Sequence, residues 1–194
     1  MAAILMVLLL PLLLRLGEAA VGEHLQKNLT NLRSSKVVPD VIPNVPTKAV
    51  VVVYPKHEAR LGNVLPVKDL YLQPNVFFDA VWNDYYTIIM LDPDAPYPKK
   101  PSMRHWIHWL VVNVKGSGSL HSGVTLATYE GPSPPRGSGK HRYVILVYRQ
   151  ESSSINSKAL HPVYKRGGWK LKRFLDEAGI KKLLAANFYL AERP

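Results

Sequence analysis

Four segments of the chain are dense in Val, Ile, Tyr and Trp and are bounded by Pro- and Gly-containing loops. They are "AVVVVYP" (Ala49 to Pro55), "YYTIIML" (Tyr85 to Leu91), "HWIHWLVVNV" (His105 to Val114) and "RYVILVYRQ" (Arg142 to Gln150). That composition and length predict β-strands. Several are apolar at successive rather than alternate positions, so both of their faces need covering, as in the middle of a layered structure. "GWKLKRFLDEAGI" is the one segment with a helical period: Trp169, Leu171, Phe174, Leu175 and Ala178 form a partial stripe, and Gly179 supplies a C-terminal stop. "KGSGSLHSG" and "EGPSPPRGSGK" are loops by composition. No repeat appears. The pattern predicts a single mostly-β domain built as a sandwich.

The N-terminal residues change the picture of where this domain works. The apolar run Ile4 to Leu14 is too short to span a bilayer, and small residues follow it, with Gly17 and Ala19 at cleavage-site spacing. Residues 1–19 therefore read as a signal peptide, 20–35 as an N-terminal extension and 36–194 as the domain. A secreted chain without cysteine must hold itself by packing alone. Asn28-Leu29-Thr30 is an N-glycosylation sequon, with Asn28 as acceptor. The formal charge of +11 survives cleavage because Arg15 and Glu18 cancel. It favours anionic partners such as phospholipid headgroups, sulfated glycans or phosphorylated ligands, and peripheral association with an anionic membrane. No basic run reaches five residues and no zinc-finger or basic-zipper pattern occurs, so nucleic acid is not an expected partner.

The candidate chemistry sits where strands meet loops. Side chains alternate along a strand, so Trp106, His108 and Leu110 are expected on one face and His105, Ile107 and Trp109 on the other. The His-x-x-His spacing of His105 and His108 then fails as a metal pair, and no metal or cofactor is expected. The same parity groups His141 with Tyr143, Ile145 and Val147. If the two strands are neighbours, Trp106, His108, His141 and Tyr143 line one end of a sheet. "DPDAP" leaves the strand before them with Asp92 and Asp94 on a proline-stiffened turn. A carboxylate there would orient an imidazole and raise its pKa. "GPSPPRGSGK" leads into His141; its glycines allow amide groups to converge on an anion, and Arg136 and Lys140 add charge. The sum is a small rigid cavity suited to a phosphate or carboxylate. An enzyme would need a nucleophile as well. No Gly-x-Ser-x-Gly elbow and no cysteine is present, and Ser133 and Ser138 lie in a loop without a designated base, so no catalytic residue is assigned.

The blocks "DPDAPYPKKPSMRHWIHWLVVNVKG" and "YEGPSPPRGSGKHRYVILVYRQ" resemble the two signature regions of the phosphatidylethanolamine-binding protein family, to which Raf kinase inhibitor protein belongs. The likeness extends through "VVPDVI", "LGNVL", "GGWKLKRFL" and "ANFYLAE", and with the signal peptide it is strongest to the secreted branch. The resemblance implies a two-sheet antiparallel β-sandwich with one or two short C-terminal helices. It also implies a ligand pocket of Asp92, Pro96, Trp106, His108, Pro134, Pro135, His141 and Tyr143. Many animal members continue past "ANFYLAE" into a final helix beside the pocket; this chain, ending at Pro194, departs from them there. The expected function is a secreted, non-enzymatic protein holding a phosphorylated headgroup or small anion. Alternatives are an inhibitor of an extracellular protease acting outside the pocket, and a glycan binder using charge alone. If protonated imidazoles grip a phosphate dianion, affinity should weaken as pH rises through the histidine range.

Overall fold

The computed structural model describes residues 28–117, 120–151, 154–155 and 161–194, so the expected signal peptide at 1–19 lies outside the described residues. Two short helical stretches come first, α1 (Asn31–Ser34) and α2 (Val37–Asp40), the second interrupted at Val38. The strands are β1 (Lys48–Ala49), β2 (Val51–Val53), β3 (Asn75–Phe77), β4 (Tyr85–Asp92), β5 (Trp106–Lys115), β6 (Val124–Ala127), β7 (His141–Arg149) and β8 (Lys182–Ala191). One helix, α3 (Leu171–Ala178), precedes β8 and stops at Gly179, whose φ of 66° is the left-handed conformation that glycine adopts without cost.

Six strands form one sheet in the order β1-β8-β7-β4-β5-β6, and β2 with β3 forms a second. The expected mostly-β, two-sheet architecture is present, with one helix among the described residues toward the C-terminus. The large sheet is antiparallel except at its edge, where β1 runs parallel to β8. The valine run Ala49 to Pro55, expected as one strand, divides: Ala49 ends β1 in the large sheet and Val51 begins β2 in the small one, with buried Val50 between them. β8 carries no strand signal of its own, since "KKLLAANFYLA" is rich in helix-forming residues. It is a strand because it pairs along the whole length of β7, from His141↔Ala191 to Arg149↔Lys182, with one register shift between Val147 and Tyr148. Tertiary pairing overrides local propensity here.

Both faces of the large sheet are buried, which is why β4 reads as a continuous apolar run. One face carries Ile89, Leu91, Ile107, Leu110, Val144, Leu146 and Phe188 against Leu29, Leu32, Val37, Val38 and Ile42 of the N-terminal segment and Leu171 and Phe174 of α3. Residues 28–35, expected as part of an extension before the domain, thus include core positions. The other face carries Ile88, Met90, Trp109, Val111, Tyr143, Ile145 and Val147 against Val50, Val52, Tyr54, Leu70 and Val76. Each large side chain so buried contributes about 2 kcal/mol, and with no disulfide present this packing carries the fold.

Asn187 holds the layers in register. Its side-chain amide donates to Val50 O at 2.7 Å and Ala59 O at 2.9 Å, and its Oδ1 accepts from Leu61 N at 2.9 Å and Phe188 N at 2.8 Å. Asn187→Ala leaves these buried backbone groups unpaired, so a loss of about 3 kcal/mol in urea unfolding is expected; a loss below about 1 kcal/mol would show that the loops repair themselves.

His105, just before β5, exchanges backbone hydrogen bonds with Trp169 (3.1 and 3.0 Å), and its Nδ1 is buried without a partner. Burial, aided by Arg104, pushes its pKa down from 6.5 to about 4. The unfolded chain therefore binds more protons than the folded one between these values, so this residue's stabilising contribution is complete above the unfolded pKa and is lost as pH falls toward the folded one. Allowing for its partial exposure, acidification through that window should cost about 2 kcal/mol more in the wild type than in His105→Gln. Matching slopes of unfolding free energy against pH for the two proteins would exclude the effect.

Candidate functional site

Three strand ends converge at one edge of the large sheet. Asp92 is the last residue of β4, Trp106 the first of β5 and His141 the first of β7. β5 and β7 are not neighbours, as the sequence had suggested they might be; β4 runs between them and sets Asp92 opposite Trp106. The turn after β4 is fixed locally, because Asp92 Oδ1 accepts the Asp94 N–H at 2.7 Å.

The expected alternation in β5 holds as far as His108 and then breaks. Met90 pairs with Trp109 while Leu91 pairs with Ile107, so His108 is the extra residue of a β-bulge. Ile107 and Leu110 lie on one core face and Trp109 on the other. The parity assignments of Trp109 and Leu110 are thereby reversed, whereas Trp106 and His108 remain together.

A cavity of about 350 Å³ opens at this edge. Its wall includes all of Asp92, Pro96, Trp106, His108, Pro134, Pro135, His141 and Tyr143, together with Ala95, Met103, Glu130 and Ser133, which sequence reasoning did not single out. All four sit inside the two motif blocks, and Ala95 and Ser133 were within reach. Glu130 was not, because an acid is not sought in a pocket for anions, and Met103 offers no polar signal.

The polar groups are tightly wired. His141 is fully buried; its Nδ1–H donates to Asp92 Oδ2 at 2.7 Å, and its Nε2 stands 3.0 Å from Ser138 Oγ. Ser138 therefore does have an imidazole beside it, contrary to expectation, and Asp92, His141 and Ser138 are linked in the order of a hydrolase triad. Ser138 Oγ also donates to Pro135 O at 2.7 Å and does not line the cavity, so the chain of bonds positions the His141 ring. The second acid of the turn is used elsewhere. Asp94 takes Arg142 N at 2.8 Å, Nε at 2.9 Å and Nη2 at 2.6 Å, and Arg142 reaches on to Asp40 at 2.7 Å and Lys36 O at 2.9 Å.

His108 is held by a different partner: its Nδ1–H donates to the Glu130 carbonyl at 2.7 Å, and its ring meets Tyr143 edge-on at 5.2 Å. Burial lowers its pKa against the opposing pull of the Glu130 carbonyl and the Asp92 charge. Tyr143 is a neutral phenol, because burial and the nearby Asp92 and Asp94 carboxylates push its pKa upward.

The loop that leads into His141 contributes less to the cavity than its composition suggests. Arg136 and Lys140 are exposed and neither lines the cavity. The Gly137 and Ser138 amides donate to Arg193 O at 3.0 Å and Pro135 O at 3.1 Å, so these two are engaged within the protein. Among the described residues, no cluster of His, Cys, Asp or Glu has the arrangement of a metal site.

The geometry can be set beside known proteins. The chain is 34% identical over 164 residues to the 26 kDa secreted antigen of Toxocara canis, an alignment covering 82% of this chain and 62% of the antigen. The chain thus spans about three fifths of that relative. Among solved structures it resembles carboxypeptidase Y inhibitor complexed with its cognate proteinase, at 25% identity and a TM-score of 0.74, over 87% of this chain and 96% of the inhibitor. A phosphatidylethanolamine-binding protein from Plasmodium vivax shares the fold at 23% identity and a TM-score of 0.73, over 86% and 97% of the two chains. Residues 56–189 match the family described as phosphatidylethanolamine-binding protein. The chain belongs to the phosphatidylethanolamine-binding protein family.

Proposed function

We propose that this chain is a secreted, non-enzymatic binding protein that holds a phosphorylated headgroup or comparable small anion in the cavity at the edge of the large sheet. The observation supporting this is the convergence of Asp92, Trp106, His108, His141 and Tyr143 from three strand ends with Pro96, Pro134 and Pro135 from two loops on one cavity of about 350 Å³. That volume suits a headgroup rather than a whole lipid. The likeness to a secreted antigen supports export, and among the described residues no helix is long and apolar enough to cross a membrane. Asn28, partly exposed ahead of α1, is then the glycan acceptor. The excess of Lys and Arg draws anionic partners, including membrane surfaces, toward the molecule.

Phosphoethanolamine titrated calorimetrically into the mature protein should bind, and a His108→Ala, His141→Ala variant should bind it about tenfold more weakly or not at all. Removing His141 leaves Asp92 buried without its partner, at a cost of about 3 kcal/mol in stability, so His108→Ala alone serves as the variant with that pair intact. Equal heats in all three proteins would move the function to another surface.

A second reading has its own support in the likeness to carboxypeptidase Y inhibitor: inhibition of an extracellular protease through a surface outside the cavity. Protease inhibition by the wild type that persists undiminished in the double variant would favour it. Inhibition lost together with headgroup binding would assign both to the cavity.

A further inference from the structure

The cavity's polar atoms divide into those already engaged and those open to a ligand; the Trp106 N–H and the Tyr143 O–H, which have no hydrogen-bond partner among the described residues, are open donors, and acceptors stand beside them. His141 has a partner at each ring nitrogen, and Asp92 has one at each oxygen. His108 has one free ring atom. A carbonyl accepts only, so the 2.7 Å contact with Glu130 O fixes the proton on Nδ1. In the neutral ring Nε2 is then a bare lone pair, and it has no hydrogen-bond partner among the described residues. Glu130 itself lines the cavity. Oε2 is bound by Arg166 Nε at 2.7 Å, and Oε1 has no partner among the described residues. Arg166 also donates to the carbonyls of Ile107 and His108 at 3.1 and 3.2 Å, which joins the β5 bulge to the segment carrying Glu130.

We infer that the cavity selects among anions by requiring a hydrogen-bond donor on the ligand, with His108 Nε2 and the Glu130 carboxylate as the acceptors that read it. The inference rests on the reading of the cavity as an anion site. A fully ionised oxyanion would set lone pairs against lone pairs at both positions, and a site built to accept a hydrogen bond rejects the analogue that cannot give one. The donor can be an acidic P–OH or an ammonium N–H; the shared chemistry is a proton-bearing anion. The titratable and charged groups around His108 are Asp92 from β4, His141 and Tyr143 from β7, Glu130 from the loop after β6, and Arg166 from the segment before α3. Burial keeps the imidazole neutral against the pull of the two carboxylates.

The test is calorimetry on the wild-type protein with inorganic phosphate, sulfate, phosphoethanolamine and phosphocholine, at about pH 6 and about pH 8, between which a phosphate monoester gives up its last proton while inorganic phosphate keeps a P–OH. Sulfate, which carries no proton at either pH, should bind about tenfold more weakly than inorganic phosphate, which keeps a P–OH at both, and phosphocholine, which loses its P–OH, should bind about tenfold more weakly at the higher pH. Phosphoethanolamine that keeps its affinity at the higher pH while phosphocholine loses it identifies the ammonium as donor; a parallel loss of both identifies the P–OH. Sulfate equal to phosphate at the lower pH, with phosphocholine equal to phosphoethanolamine at the higher, overturns the inference and leaves the anion site standing. Absence of binding by every anion overturns both. Glu130→Gln, which presents an N–H in place of an acceptor, should raise sulfate relative to phosphate about fivefold. An unchanged ratio removes Glu130 from the role.

Discussion

The buried pair of Asp92 and His141 is the interaction on which the site depends. Neither residue is tolerable alone at that depth: a carboxylate or an imidazole with an unmet hydrogen bond is costly away from water. Joined at 2.7 Å, they tie the end of β4 to the start of β7 and leave the ring at a fixed angle on the cavity wall. The surrounding bonds follow from this one. Asp92 spends its other oxygen closing its own turn, and Ser138 secures the far side of the ring. A pocket made in this way is assembled during folding and does not wait for its ligand.

The position of that pair explains why the sheet is built as it is. A strand end exposes backbone and invites solvent, yet Asp92, Trp106 and His141 are all first or last residues of their strands. They are sheltered because the sheet is covered on both faces, by the N-terminal segment and α3 on one side and by the small sheet on the other. The two imidazoles, alike in sequence context, end in different chemical states of engagement. One is closed off by a carboxylate and a hydroxyl; the other is anchored to a carbonyl and keeps one nitrogen for the cavity.

Much of this was legible in the residues, for reasons that can be named. β4, β5 and β7 announced themselves because β-branched and aromatic residues fill them, and strand parity alone grouped Trp106 with His108 and His141 with Tyr143. The resemblance supplied the prolines. What escaped depends on long-range geometry. Parity cannot foresee a bulge, so Trp109 and Leu110 were assigned to the wrong faces. A run of valines contains no polar residue to mark where it leaves one sheet for the other, so β1 and β2 merged into one strand. β8 looks helical until β7 pairs with it, and Glu130 became a wall of the cavity only through the path of its loop. Burial disfavours the charge on His108, and both nitrogens of His141 have partners within the protein.

The clamp of Arg142 and Arg104 on Asp40 joins the N-terminal segment to the turn that carries Asp92 and Asp94. The match to the family model runs from residue 56 to residue 189 and so leaves out Asp40 and Leu32, Val37, Val38 and Ile42 of the core. The matched stretch is therefore smaller than the unit that folds. A molecule without the segment ahead of β1 would strip one face of the sheet and leave Arg104 and Arg142 beside the acid turn without Asp40, so that segment acts as a strap whose loss reaches the cavity without touching any residue that lines it.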